Sequence, residues 1–101
     1  MRLQSTSGTT GLLLARQRTD VDLIGDKNGV NDTFTTPNIF IQTGTVKIQV
    51  FRNGVRLRLG STNDYIVLES GGGGTGYDTV VYNGSPPLSF EQLTADYIIA
   101  S

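Results

Sequence analysis

Apolar and polar residues alternate along much of the chain with a period of two. From Thr19 onward, for example, Val21 and Leu23 alternate with two aspartates. Successive side chains of a β-strand point to opposite faces of a sheet, so this alternation predicts strands with one buried face. No stretch shows the 3.6-residue period of an amphipathic helix. The pattern therefore predicts an all-β protein.

The clearest predicted element is a β-hairpin over residues 45–59. Apolar residues alternate with polar ones on both sides of the dipeptide Asn53-Gly54. Asn-Gly readily adopts the two positive φ angles that a two-residue type I′ turn requires. The apolar residues of the two predicted strands are Val46, Ile48, Val50, Val55, Leu57 and Leu59. We therefore expect two strands of about equal length that pair along the whole hairpin.

Further strands are predicted between turn-forming segments. They cover residues 30–35, 64–69, 77–82 and 93–99, with a short apolar run at 39–41. Pro37 either ends its strand or places it at the edge of a sheet, because proline cannot donate to a ladder. About seven short strands in a chain of 101 residues predict one domain, a small antiparallel β-sandwich or barrel. Its core is expected to contain the aromatic residues at alternating strand positions, Phe34, Tyr65, Tyr82 and Tyr97.

Residues 1–17 follow a different pattern. Residues 5–11 (STSGTTG) are small and polar, with no apolar period, so they lack a face to bury in a core. We therefore expect an extended N-terminal arm over residues 1–17 and a β-domain over residues 18–101. The arm is expected to bind neighbouring subunits. Its expected contact residues, with Arg18 just beyond it, are Arg2, Leu3, Leu12, Leu13, Leu14, Arg16 and Arg18.

Charge is segregated along the chain, although the net charge is only −1. Residues 1–18 carry three arginines and no acid, residues 45–60 carry four cations and no acid, and the remaining segments are acidic. The four cations are Lys47, Arg52, Arg56 and Arg58. We expect them on the outer face of the hairpin, with Arg52 near its tip. Such segregation favours contacts between unlike patches of neighbouring copies, and ordinary scatter of surface charge is the alternative.

The residue types present limit the possible chemistry. The chain has no cysteine and no histidine, which excludes disulfides, thiolate nucleophiles, Cys/His zinc sites and histidine-based catalysis. Residues 26–32 (DKNGVND) lack the glycine and glutamate spacing of a calcium loop, so a turn is favoured. Residues 71–76 (GGGGTG) lack the lysine of a P-loop, and a flexible loop is favoured. We expect no catalytic, cofactor-binding or metal-binding residues, hence no enzyme.

The chain also shows no targeting segment. The longest apolar run near the start, residues 12–15 (LLLA), is too short for a signal peptide or a membrane span. The four hairpin cations lack interleaved aromatic residues and lie between acidic segments, which argues against nucleic acid as a partner. We therefore expect neither a membrane nor a nucleic-acid partner.

Residues 26–97 carry a set of short motifs in a fixed order. They are GVNDTF at residues 29–34, GTV at 44–46, VFRNGVRL at 50–57, NDYIV at 63–67 and LTADY at 93–97. Together they resemble a module common in structural proteins of tailed bacteriophages. The resemblance implies a β-sandwich without enzymatic activity that serves as a building block in necks, collars, tails or fibre attachments. The arm and the long loop at residues 71–76 depart from that module.

The resemblance leads to a principal hypothesis and two alternatives. The principal hypothesis is a virion structural protein that forms an oligomeric ring or accessory at the head-to-tail junction or tail. It would be assembled in the host cytoplasm with copies of itself and with portal, adaptor, tail or capsid proteins. One alternative is a capsid decoration protein. The other is a module that binds a host-surface glycan or protein through the loops at one end of the sandwich.

Overall fold

The computed structural model of the chain describes residues 16–100. The regular elements of this range are seven strands, which confirms the predicted all-β fold. They are β1 (Gln17–Asp22), β2 (Thr33–Phe40), β3 (Gln49–Arg52), β4 (Val55–Arg56), β5 (Tyr65–Leu68), β6 (Tyr77–Tyr82) and β7 (Leu93–Ile98). The first strand begins two residues before the alternation that predicted it.

The strands form two antiparallel sheets that are joined at both edges. One sheet has the order β1-β7-β3-β4 and the other the order β2-β6-β5. After β1 the chain crosses over, and Ile24 forms an antiparallel bridge to Thr35 of β2. After β4, Leu59 forms a parallel bridge to Tyr65 of β5. The strands thus follow one another in a ring, and a ring of seven strands needs at least one parallel neighbour pair, which Leu59 and Tyr65 provide.

The core lies between the two sheets. Strand β7 shows the clearest alternation, because Leu93, Ala95 and Tyr97 are buried while the residues between them are partly exposed. The buried apolar residues are Phe34, Phe40, Ile48, Val50, Tyr65, Val80, Tyr82, Leu93, Ala95 and Tyr97. The rings of Phe34 and Tyr82 pack edge to face with centroids 5.6 Å apart. The quadrupoles of the two rings favour this arrangement.

The predicted hairpin is correct at its turn and wrong in its length. Asn53 and Gly54 have φ angles of 54° and 82°. Both values are positive, as a type I′ turn requires. The ladder, however, contains only the pairs Phe51–Arg56 and Arg52–Val55.

The chain turns away from β3 beyond the hydrogen bond that the Leu57 N–H donates to the Val50 carbonyl. Residues 57–59 diverge because they connect one sheet to the other. There the N–H groups of Asp64 and Tyr65 donate backbone hydrogen bonds to the Arg58 carbonyl. The second half of the predicted hairpin is therefore a connection between sheets.

Pro37 lies inside β2, which is an edge strand of its sheet. The register of the β2–β6 ladder shifts between Thr35 and Phe40, so the proline falls in the irregular part of the strand. Proline has no N–H to donate, and an edge position with an irregular ladder tolerates that loss. Of the two predicted outcomes, an edge strand is the one found.

Candidate functional site

A cleft opens where β3 and the chain after β4 diverge. Its volume is about 500 Å³. The residues that line it are Thr45, Lys47, Ile48, Gln49, Arg56, Leu57, Arg58, Leu59 and Tyr65. Ile48 and Tyr65 are buried, and the Tyr65 hydroxyl donates to the Ile48 carbonyl at 3.3 Å. The cleft therefore has a packed floor that holds its shape.

Three of the four predicted hairpin cations come together around this cleft. Lys47, Arg56 and Arg58 all line it, and all three are exposed. Each lies beside an apolar residue that packs in or against the core. No acidic residue lines the cleft, and within residues 16–100 none of these three side chains forms an ion pair. Their mutual repulsion favours the binding of a negatively charged group.

The floor of the cleft carries a neutral phenol beneath these charges. Burial raises the pKa of Tyr65, and the positive charge of Arg56 partly offsets that rise. Tyr65 therefore stays protonated near neutral pH and acts as a hydrogen-bond donor within the fold. The charge available to a partner comes from the cations at the rim.

A smaller depression continues from the cleft across β3 towards β7. Its volume is about 160 Å³, and it shares Thr45, Lys47 and Gln49 with the cleft. Asp96 lines this second depression. The carboxylate of Asp96 accepts a hydrogen bond from the backbone N–H of Asp20 at 2.8 Å. The cationic area is thus bounded on the β7 side by a carboxylate that already has a partner.

Arg52, the fourth predicted cation, does not belong to this group. Its side chain is 22% exposed and forms an ion pair with Glu91, whose side chain is 11% exposed. Arg52 also donates to the Ser85 carbonyl at 2.8 Å and lies 5.9 Å from the centroid of the Tyr82 ring. The hydrogen bond from Arg52 lowers the pKa of Glu91 to about 2. Arg52 is therefore a stabilising residue of the fold, and its charge is neutralised.

The predicted arm falls mostly outside the described residues. Arg2, Leu3, Leu12, Leu13 and Leu14 all lie outside residues 16–100. Arg16 is exposed just before β1, and its carbonyl accepts a hydrogen bond from the Ile99 N–H. Arg18 is an exposed residue of β1 opposite Tyr97 of β7. Both described arginines thus lie at the start of the β-domain.

The glycine-rich loop at residues 71–76 is closed by its own hydrogen bonds. The carboxylate of Glu69 accepts hydrogen bonds from the backbone N–H groups of Gly74 and Gly76, at 3.1 and 2.8 Å. The Thr75 hydroxyl donates to the Gly72 carbonyl at 2.6 Å. Ser70 binds the Asp78 carboxylate through both its N–H and its hydroxyl. These contacts join the loop to residues 69, 70 and 78 beside β5 and β6, and the flexibility that its composition predicted stays a prediction.

Residues 16–100 contain no group of three or more acidic, cysteine or histidine side chains placed to hold a metal ion. The same residues form no helix that is long and apolar enough to span a membrane. Comparisons of the chain with protein-family models, with curated proteins and with solved structures found no match.

Proposed function

We propose that the protein is a non-enzymatic structural subunit of a tailed-bacteriophage particle, located at the head-to-tail junction or in the tail. In this proposal the cationic cleft binds an acidic surface of a neighbouring subunit. The observation that carries it is the convergence of Lys47, Arg56 and Arg58 on a cleft that contains no acid. The motifs at residues 29–97 resemble phage structural modules. This resemblance is the reason for proposing a phage particle as the assembly in which the contact forms.

An acidic protein surface suits this cleft better than nucleic acid does. The three cations occupy one local area, whereas residues 19–44 and 61–101 give the rest of the domain an excess of acids. A long polyanion that crossed the domain would meet those acids and be repelled. A carboxylate-bearing loop or strand of a neighbour would reach the cations alone. Charges at such a rim mainly set encounter rate and register.

The location in the particle is tested by labelling. Gold-labelled antibody against the protein, imaged on purified particles by electron microscopy, should mark the neck, collar or tail. Labelling spread over the capsid shell would instead support the capsid decoration alternative. Particles that carry no label, and that lack the protein by mass spectrometry, would contradict the proposal.

The role of the cleft is tested by a triple charge reversal. Lys47→Glu, Arg56→Glu and Arg58→Glu together should block incorporation into particles while the purified variant stays folded, because all three side chains are exposed. The matched control exchanges the same positions for the other cation, as Lys47→Arg, Arg56→Lys and Arg58→Lys, and should incorporate normally. High salt should weaken the wild-type contact, because exposed charges are screened beyond about 10 Å at roughly 0.1 M ionic strength.

Two results would overturn the role of the cleft. Incorporation of the triple glutamate variant at the wild-type level in low salt would show that the cations make no essential contact. Tight, salt-sensitive binding of DNA by the wild-type protein would assign the cleft to nucleic acid instead. The incorporation assay and the DNA-binding assay use the same protein preparations, so their results can be compared directly.

A further inference from the structure

Four apolar side chains are exposed on the two loops that connect β1 to β2 and β6 to β7: Ile24, which forms a bridge to Thr35 of β2, and three others. Val30 is 81% exposed, Phe90 is 80% exposed and Leu88 is 44% exposed. A contiguous exposed apolar surface is typical of a site that binds a partner. We call these three residues the apical patch.

Hydrogen bonds hold the two loops of the apical patch together. The Gly29 N–H donates to the Pro87 carbonyl at 2.9 Å, and the Lys27 ammonium donates to the Glu91 carbonyl at 2.6 Å. Leu88 packs so closely over Gly29 that a Cβ there would lie 2.9 Å from its Cδ2 atom. The patch is thus preformed, so the two loops would lose little conformational entropy when a partner binds.

The two loops also carry a negative charge. Residues 23–32 contain two aspartates and one lysine, and residues 83–92 contain Glu91 as their one charged residue. Arg52 neutralises Glu91, which leaves Asp26 and Asp32 against Lys27. A partner for the apical patch should therefore be apolar and basic.

Residues 1–15 of the chain itself contain both kinds of residue, on either side of the polar run at residues 5–11. They contain four leucines, one arginine and no acid, and Arg16 and Arg18 follow them. Strand β1 runs from Gln17 towards the loop that carries Val30, so residues 1–15 join the domain at the opposite end of this strand. A strand of this length spans about 20 Å. In a head-to-tail stack, the N-terminal end of β1 in one copy would lie next to the apical patch of the neighbouring copy.

We infer that the apical patch is the docking surface for residues 1–15 of a second copy of the chain. The contact is heterologous, because one copy contributes the patch and the other contributes its N-terminal segment. This inference deepens the proposed function and rests on it, since it names the partner that the assembly would use at this end of the domain. It concerns surfaces separate from the cationic cleft.

Photo-crosslinking of the purified full-length chain tests the inference. An unlabelled variant with Phe90→benzoylphenylalanine is mixed with 15N-labelled wild-type protein and irradiated. Crosslinks should join position 90 of the unlabelled chain to the 15N-labelled tryptic peptide of residues 3–16. Position 90 is exposed and already aromatic, so the fold should tolerate the change. Leu68→benzoylphenylalanine, at a 45% exposed position on β5, is the matched control and should not capture that peptide.

A second substitution separates a specific contact from chance proximity. Adding Val30→Ser to the Phe90 photo-variant should lower the yield of the labelled crosslink several-fold, whereas adding Leu68→Ser should leave it unchanged. Three results would each overturn the inference: crosslinks within a single chain only, crosslinks to other segments only, or no crosslinks. The experiment needs no phage particle, so its failure would leave the particle-labelling result standing on its own.

Discussion

The guanidinium of Arg52 lies against the carboxylate of Glu91, with Nε 2.8 Å from Oε2 and Nη2 2.6 Å from Oε1. Two parallel, charge-assisted hydrogen bonds of this kind are among the stronger polar contacts in proteins. Glu91 also accepts hydrogen bonds from the Leu88 N–H and the Asn53 amide. The pair therefore fastens the hairpin tip to the loop between β6 and β7, and through Lys27 to the loop between β1 and β2.

Removing the cation of this pair should destabilise the domain. Arg52→Met leaves the buried Glu91 carboxylate without its charged donor, which should lower the free energy of unfolding by about 2–3 kcal/mol. For a domain of this size that corresponds to a melting temperature lower by about 10 °C or more. Arg56→Met, at an exposed position, is the control and should change stability by about 0.5 kcal/mol or less. Equal melting temperatures for the two variants would contradict the structural role of Arg52.

The same pair predicts a loss of stability in acid. The pKa of Glu91 falls from 4.5 to about 2 in the folded protein, chiefly through the Arg52 hydrogen bond. A lowered pKa stabilises the folded state at pH values above the ordinary pKa of the group. For Glu91 this contribution disappears as the pH falls from about 4.5 to about 2. Urea unfolding midpoints should therefore decrease over that range.

Glu91→Gln should flatten most of this pH dependence. A smaller part should persist, because the pKa of Asp78 is also lowered, chiefly by its side-chain hydrogen bond with Ser70. An unchanged pH profile in the Glu91→Gln variant would show that another group causes the acid sensitivity.

The hairpin turn predicts a strain effect at Gly54. Its φ of 82° is unfavourable for any residue with a branched Cβ, although a Cβ there would meet no atom within 4 Å. Gly54→Val should therefore cost roughly 1–2 kcal/mol through the backbone alone. Gly84→Val is the control, because Gly84 also has open space around it and is not among the residues with positive φ. Thermal melts of both variants distinguish this strain from a general cost of losing glycine.

The closed glycine-rich loop predicts protected amides. Glu69→Ala removes the acceptor of the Gly74 and Gly76 N–H groups, so hydrogen exchange at both amides should accelerate at least several-fold. Glu69→Gln keeps an acceptor oxygen and should retain part of the protection. Fast exchange of both amides already in the wild-type protein would mean that the loop is open in solution.

The local pattern of the sequence determined the all-β fold class, the position of the hairpin turn and the buried aromatic residues. Alternation with period two predicted β7, and a composition rich in Val, Thr and Tyr predicted β6, each within one residue at each end, because both signals are local to the strand. Asn53-Gly54 defined its turn because the φ angles it favours belong to the dipeptide itself. Phe34 and Tyr97 are buried as predicted, because large apolar rings gain most from leaving water.

Tertiary structure decided which of these local patterns serve the candidate site. Val55 alternates with arginines as Leu57 does, yet it is 63% exposed, and it lies directly after the turn at the tip of the hairpin. Arg52 and Arg56 both belong to the hairpin, but of these two only Arg52 forms an ion pair with an acid, and that acid is 39 residues away in the chain. The cleft exists because residues 57–59 leave β3 to join the second sheet. Partners so distant in sequence leave no periodic signal, because folding brings them together only through the packing of the whole domain.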